Sequence, residues 1–409
     1  MFWEKEGKLI YSYDGETVCI EAWGKDALRV RATKNRSFTG RDWALEAKDA
    51  HAGEVEIFED PSAKGGAFAN MYEGTDTSYG KITNGKLHAV IDSGSVITFY
   101  HEDGRVLLKE HFRRLRDEES MPLNIMGREY SNGVGDNFRI VARFVARKGE
   151  KIFGMGQYQQ HELDLKGCML ELAQRNSQVS VPFYLSSIGY GFLWNNPGVG
   201  QVMFANNGTE WVTESGKEID YLVIAGDTPA EIEENYMTLT GKPPMMPEYG
   251  MGFWQCKLRY WNQEQLLSVA RKYKELGVPL DVIVVDFFHW TKQGEFKFDP
   301  KYWPDVPGMC RELKEMGIQV VVSVWPTVDI YSENFEEMKE KGYLVRTEHG
   351  VPLTMLCGGN EIFFDATNPD ARTYVWEKIK KNYYDQGAKL FWLDVAEPEY
   401  SVYDFKNYR

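Results

Sequence analysis

Two acids stand where a parallel α/β protein would use them. Asp286 ends the unbroken apolar run Val282-Ile283-Val284-Val285, and Asp394 ends the run Leu390-Phe391-Trp392-Leu393. Short continuous apolar runs fit strands covered on both faces, and a carboxylate at the C-terminal end of such a strand is in position to meet a substrate. Either acid alone could be a solvated strand end. Their surroundings favour chemistry, because Phe287, Phe288, His289 and Trp290 follow Asp286, Trp325 ends a third apolar run from Ile318, and Trp392 precedes Asp394. Carboxylates between aromatic walls suit glycoside hydrolysis, where one carboxylate attacks the anomeric carbon and another carboxyl protonates the leaving oxygen. The sequence carries no GxSxG and no His/Cys/Asp spacing for a metal, so no metal and no cofactor is expected. The lone His289 reads as a packing or hydrogen-bonding residue.

The elements that must position these acids alternate in period. Gly252-Phe253-Trp254-Gln255-Cys256 reads as a short first strand. Leu266, Ala270, Tyr273 and Leu276 then recur at helical spacing, with Gly277 as a stop. Val282–Val285 is the second strand. Met309, Leu313 and Met316 mark a helix, and Ile318 to Trp325 a third strand closed by Pro326. A short helix capped by Ser332 carries Phe335 and Met338. Asn368 and Pro369 open the last helix, and Leu390–Leu393 is the fourth strand. Alternating β and α units predict a parallel sheet, open or closed as a (β/α)8 barrel, whose active end lies at Cys256, Asp286, Trp325 and Asp394. A complete barrel takes about 250 residues, and only about 160 follow the boundary drawn below, so a truncated barrel of four strands is predicted.

Residues 1–237 read instead as an N-terminal β-sandwich. Leu28, Val30 and Ala32 alternate with Arg29 and Arg31, a half-buried pattern, and Phe138, Ile140, Ala142 and Phe144 share one face of another strand. Asp14-Gly15 and Asp103-Gly104 are hairpin dipeptides. Gly154-Met155-Gly156 lacks the GxGxxG form and is read as a turn, not a phosphate loop. The Pro- and Gly-rich stretch ending at Gly250 sets a linker at 238–250, and the barrel is assigned 251–409.

The net charge of −14, with no basic stripe beyond Phe112-Arg113-Arg114-Leu115-Arg116, argues against nucleic acid and anionic membranes as partners. No run of 18 apolar residues and no signal peptide is visible, and five scattered cysteines without a CxxC pair read as reduced thiols, so a cytoplasmic location is expected. The 14% aromatic share is a hint of sugar stacking, although large β-domains are also aromatic-rich.

From about Ile152 onward the chain resembles glycoside hydrolase family 31, the family of α-glucosidases, α-xylosidases and α-glucan-acting transglycosylases and lyases. The resemblance is carried by Gly154-Met155-Gly156-Gln157, Val181-Pro182-Phe183-Tyr184, Gly252-Phe253-Trp254-Gln255 and Val284-Val285-Asp286-Phe287-Phe288-His289-Trp290. It continues through Phe298-Asp299-Pro300, Trp303-Pro304-Asp305, Asp365 to Ala371 and Trp392-Leu393-Asp394-Val395-Ala396-Glu397, in order and at the family's spacing. It implies a galactose mutarotase-like sandwich before the barrel. It also implies Asp394 as nucleophile of a retaining mechanism and Asp286 as the acid that holds sugar hydroxyls in subsite −1. Phe287, Trp290, Trp325 and Trp392 are the implied substrate-binding aromatics, and Glu397 supports the nucleophile's setting. The family's acid/base Asp follows a later barrel strand, so this chain is expected to stop short of it and to be inactive by itself. The implied substrate is an oligosaccharide or glycoside with terminal α-linked xylose or glucose. Xylose is slightly preferred, because Phe287 and Phe288 could fill the space of a C6 hydroxymethyl. An α-transglucosylase and a non-catalytic carbohydrate-binding fragment remain as alternatives, and the oligomeric state is unreadable.

Overall fold

The structure is a computed structural model that describes residues 1–61, 76–111, 126–133, 135–346 and 360–397. The basic stretch 112–116 and Cys357 lie outside the described residues. The chain divides after Pro243 into two compact units.

The first unit is antiparallel. A nine-stranded sheet and two five-stranded sheets enclose one core, with Leu9, Val18 and Ile20 from the large sheet, Ile82 and Phe99 from the second, and Ile140 and Trp211 from the third. Asp14 and Gly15 both take positive φ between strands Lys8–Tyr13 and Glu16–Trp23, the backbone a two-residue hairpin needs. The strand Ala27–Thr33 departs from the half-buried expectation, since every residue in it is buried. Arg29 is buried because Asp220 takes its guanidinium at 3.0 and 2.7 Å and Asp42 at 2.7 Å. Gly154-Met155-Gly156 is no turn. It is a bulge within strand Ile152–Gln157, where the register against Val179–Ser186 shifts and all three residues have positive φ. A helix, Pro229–Thr240, closes the unit, burying Ile232 and Leu239 against Leu222 and Ile224. It runs through positions 238–240, so the interdomain segment starts later than the predicted linker.

The second unit alternates strand and helix. Four parallel strands lie in sequence order: β1 (Trp254–Gln255), β2 (Val282–Val285), β3 (Gln319–Val324) and β4 (Leu390–Leu393). The helices are α1 (Gln263–Glu275), α2 (Val306–Glu315), α3 (Phe335–Glu340) and α4 (Pro369–Ile379). Side-chain caps start three of them: Asn262 accepts from Gln265 N–H, Asp305 from Gly308 N–H, and Asn368 from Asp370 N–H. α3 differs from expectation. Its cap position is Asn334, whose side chain is engaged with Gly294 O and the Tyr374 hydroxyl, while the Ser332 hydroxyl accepts from Asn334 N–H and its main-chain oxygen from Phe335 N–H. A π-helical turn, Lys380–Tyr384, extends α4, and a two-stranded antiparallel ribbon joins Thr327–Asp329 to Glu361–Phe363.

Strand alternation sorts the unit into two layers. Ile283, Val285, Val320, Val322 and Val324 pack with Leu266, Met309, Leu313, Met338 and Val375 of the helices. Val282, Val284 and Val321 form a separate cluster on the other face, joined by Tyr249 and Leu390. This second face is the concave side of the partial barrel. β4 is not covered on both faces as expected, since Trp392 is 47% and Leu393 72% exposed. Among the described residues no helix is long and apolar enough to cross a membrane.

Candidate active site

Parity decides which side chains meet. On β2 the inward series is Val282, Val284, Asp286; on β3 it is Val321, Ser323, Trp325; on β4 it is Leu390, Trp392, Asp394. The parallel register pairs Val285 with Val322, Ser323 with Trp392, and Val324 with Leu393. Asp286, Ser323 and Trp392 therefore share one level of the concave face, and Trp325 and Asp394 the next level toward the strand ends. Two carboxylates from alternate strands thus open onto the same face at the C-terminal end.

Asp286 is held on three sides. Its Oδ1 accepts from the Phe287 N–H at 2.8 Å, and its Oδ2 lies 3.4 Å from Cys256 Sγ. Its main-chain oxygen accepts from His289 Nδ1 at 2.9 Å. A carboxylate offers about four lone-pair directions. Two are taken, which leaves one on each oxygen, the arrangement needed to accept two neighbouring hydroxyls. His289 is buried, and burial pushes its imidazole down to about 4, so it is neutral at pH 7. The loop beyond it is pinned as well: Asp299 N–H donates to His289 O at 2.7 Å, Asn334 to Gly294 O at 2.9 Å, and Asn382 to Phe296 O at 3.1 Å.

The aromatic residues form one cluster. Phe287 stacks on Trp325 with centroids 5.3 Å apart, Trp290 meets Trp325 edge-on at 5.6 Å, and Phe288 lies 4.6 Å from Phe287. The Arg259 guanidinium lies over Phe288 at 5.0 Å and over Trp261 at 4.0 Å. Trp325 Nε1 and Ser323 Oγ are buried on this face without a hydrogen-bond partner among the described residues. Unsatisfied buried polar atoms are costly.

Asp394 is half-buried, with its N–H donating to Val324 O at 3.1 Å. Val395 follows at φ 56°, and Phe288, two residues past Asp286, has φ 59°. A β-branched residue in the left-handed region is a real outlier, and such strain costs on the order of 1–3 kcal/mol, so both acid-bearing corners are held by their surroundings rather than by local preference. Glu397 is half-buried, three residues past Asp394. Among the described residues no group of three or more His, Cys, Asp or Glu could hold a metal ion.

The structure links Asp286 to Phe287, and Phe287 and Trp290 to Trp325, and sets Trp392 and Asp394 on the same concave face. Sequence reasoning missed the Cys256 contact, the Arg259–Trp261 stack and the Tyr383 bond to His289. For Arg259 and Trp261 the exposed aromatic two positions from a cation, directly before the Asn262 cap, was the available signal.

Comparison with known proteins bears on both units. A family 31 glucosidase of Pseudescherichia vulneris, itself uncharacterised, is 45% identical over 417 residues, covering 99% of this chain and 75% of the relative. The chain belongs to glycosyl hydrolase family 31. The family's TIM-barrel domain matches residues 243–408, and its N-terminal galactose mutarotase-like domain matches residues 17–202. Alpha-xylosidase A of Aspergillus niger is 31% identical to this family 31 chain over 401 residues. A GH31 α-xylosidase from a soil metagenome, solved with xylose, superposes with a TM-score of 0.88 at 49% identity over 100% of the chain. The chain spans 52% of the length of the Aspergillus relative and 59% of the solved xylosidase.

Proposed function

We propose that this chain carries the nucleophile and the sugar-holding subsite −1 of a retaining, exo-acting α-glycosidase that removes terminal α-linked xylose, and less readily glucose, from oligosaccharides. The observation that carries the reading is the pair Asp286 and Asp394, on alternate strands of one concave face beside the Phe287–Trp325 stack. The α-xylosidase names of the Aspergillus relative and of the soil-metagenome structure support the choice of sugar.

In this mechanism an Asp394 oxygen attacks the anomeric carbon as the bond to the leaving oxygen breaks, forming a glycosyl ester, and water then hydrolyses that ester. Asp286 accepts two sugar hydroxyls on its open lone pairs, with the Phe287–Trp325 stack beside it. The leaving oxygen needs a proton from a second carboxyl, a role we assign to none of the described residues. The xylose preference is argued from crowding: Phe287 and Phe288, with ring centroids 4.6 Å apart directly after Asp286, would narrow the space for a hydroxymethyl at C5.

The test is a panel of aryl α-xyloside, α-glucoside and α-galactoside on the protein in its complete natural form. Highest kcat/KM on the xyloside is expected, with Phe287→Ala and Phe288→Ala raising the glucoside-to-xyloside ratio. A wild-type preference for the glucoside, or no turnover of any of the three, would sink this reading.

A further inference from the structure

Cys256 lies one residue beyond β1, where the parallel register of Trp254 with Val282 and Gln255 with Ile283 carries it alongside the inward series of β2. Its Sγ stands 3.4 Å from Asp286 Oδ2 and 3.5 Å from its neighbour's carbonyl, Lys257 O. One thiol proton serves one of these acceptors, and an ionised carboxylate draws it more strongly than a neutral carbonyl. We propose that Cys256 is a positioning residue of the sugar site, its thiol donating to Asp286 and setting the orientation of the carboxylate that receives the sugar. The proposal rests on the reading of Asp286 as the sugar-holding acid.

Three observations support it. First, the two contacts to the carboxylate fall on different oxygens, Phe287 N–H on Oδ1 and Cys256 S–H on Oδ2, so together they fix its rotation, which neither does alone. Second, partial desolvation and the adjacent Asp286 carboxylate push the thiol up to about 11, so near pH 7 it is a neutral donor and not a competing anion. Third, Cys256 is exposed, unlike Cys19 and Cys310, which are buried, so there is open space at the sulfur that contacts Asp286. A group added to this sulfur would occupy that space.

The test has two arms. In the first, the chain is labelled with iodoacetamide at pH 8 and the Cys256 peptide is followed by mass spectrometry. The thiolate is the reacting form, so removing the carboxylate's charge in Asp286→Asn should speed labelling of Cys256 at least about threefold while leaving Cys168 unchanged. Equal rates at Cys256 in the two proteins would overturn the pairing. In the second arm, Cys256→Ala in the complete protein should lower kcat/KM about five- to tenfold with an unchanged melting temperature, and Cys256→Ser should restore most of it, because the hydroxyl donates in place of the thiol. Wild-type kcat/KM in the Ala variant, or a Ser variant no better than Ala, would overturn the positioning role. Loss of all glycoside turnover in the wild type would count against the proposed function, and the labelling arm would still decide whether Cys256 and Asp286 are paired.

Discussion

Tyr383 donates its hydroxyl to His289 Nε2 at 2.9 Å, and His289 donates from Nδ1 to the main-chain oxygen of Asp286 at the same distance. The directions follow from chemistry. A carbonyl oxygen only accepts, so the proton of the neutral imidazole sits on Nδ1 and Nε2 must accept. Tyr383 belongs to the π-helical turn after α4, so an irregularity in an outer helix reaches the backbone of Asp286 through one imidazole.

Tyr383→Phe should therefore leave a buried acceptor unsatisfied on His289. The expected loss is about 1–3 kcal/mol in the stability of the α/β unit, read as a lower urea midpoint with an unchanged slope. A midpoint equal to wild type would mean that this bond contributes nothing.

The same imidazole makes the unit sensitive to acid. His289 is held at about 4 when folded, below its ordinary value of 6.5, so below pH 6.5 the unfolded chain gains a proton that the folded one refuses. Its contribution is fully present above that value and is lost as pH falls from 6.5 toward 4. Integrated over that window it is on the order of 2–3 kcal/mol. His289→Gln should flatten the stability profile between pH 7 and pH 4 by that amount relative to wild type, measured by urea unfolding at each pH. Parallel profiles would rule out His289 as the source.

Much of this site was legible because its residues follow local rules. The run Val282–Val285, the acid after it, and the Asn368-Pro369 helix start all report their own structure within a few residues. What escaped depends on partners far along the chain. Arg29 alternates like a solvated face, yet Asp220, 191 positions away, lets it be buried. Cys256 meets Asp286 only through the β1–β2 register, and no spacing reports a register between strands separated by a helix. Tyr383 keeps the helical spacing from Ile379, but that spacing cannot show that its hydroxyl reaches His289, 94 positions away.

Asp286→Asn should weaken transition-state binding. The amide keeps the shape, but it loses the negative charge and replaces one accepting oxygen with a donor. A charge-assisted bond lost in an enclosed site costs roughly 2–4 kcal/mol, about 30- to 1,000-fold in kcat/KM on an aryl α-xyloside. Unchanged kcat/KM would reduce Asp286 to a strand-end acid with a structural hydrogen bond.

Asp394 can be tested without a proton donor. Fluoride leaves as an anion and needs little protonation, so an α-xylosyl fluoride bearing a second fluorine that slows hydrolysis of the ester should trap the glycosyl-enzyme. The added sugar mass should appear on the peptide containing Asp394, because the nucleophile is the group that forms the covalent bond. Asp394→Asn should abolish labelling and lower turnover of the complete protein by several orders of magnitude, with an unchanged melting temperature. Asp394→Ala opens a cavity on the concave face, and azide supplied there should attack the anomeric carbon from the nucleophile's side and give the β-glycosyl azide from an α-glycosyl fluoride. Label on Asp286 or Glu397 instead of Asp394, or full activity in the Asn variant, would move the nucleophile elsewhere.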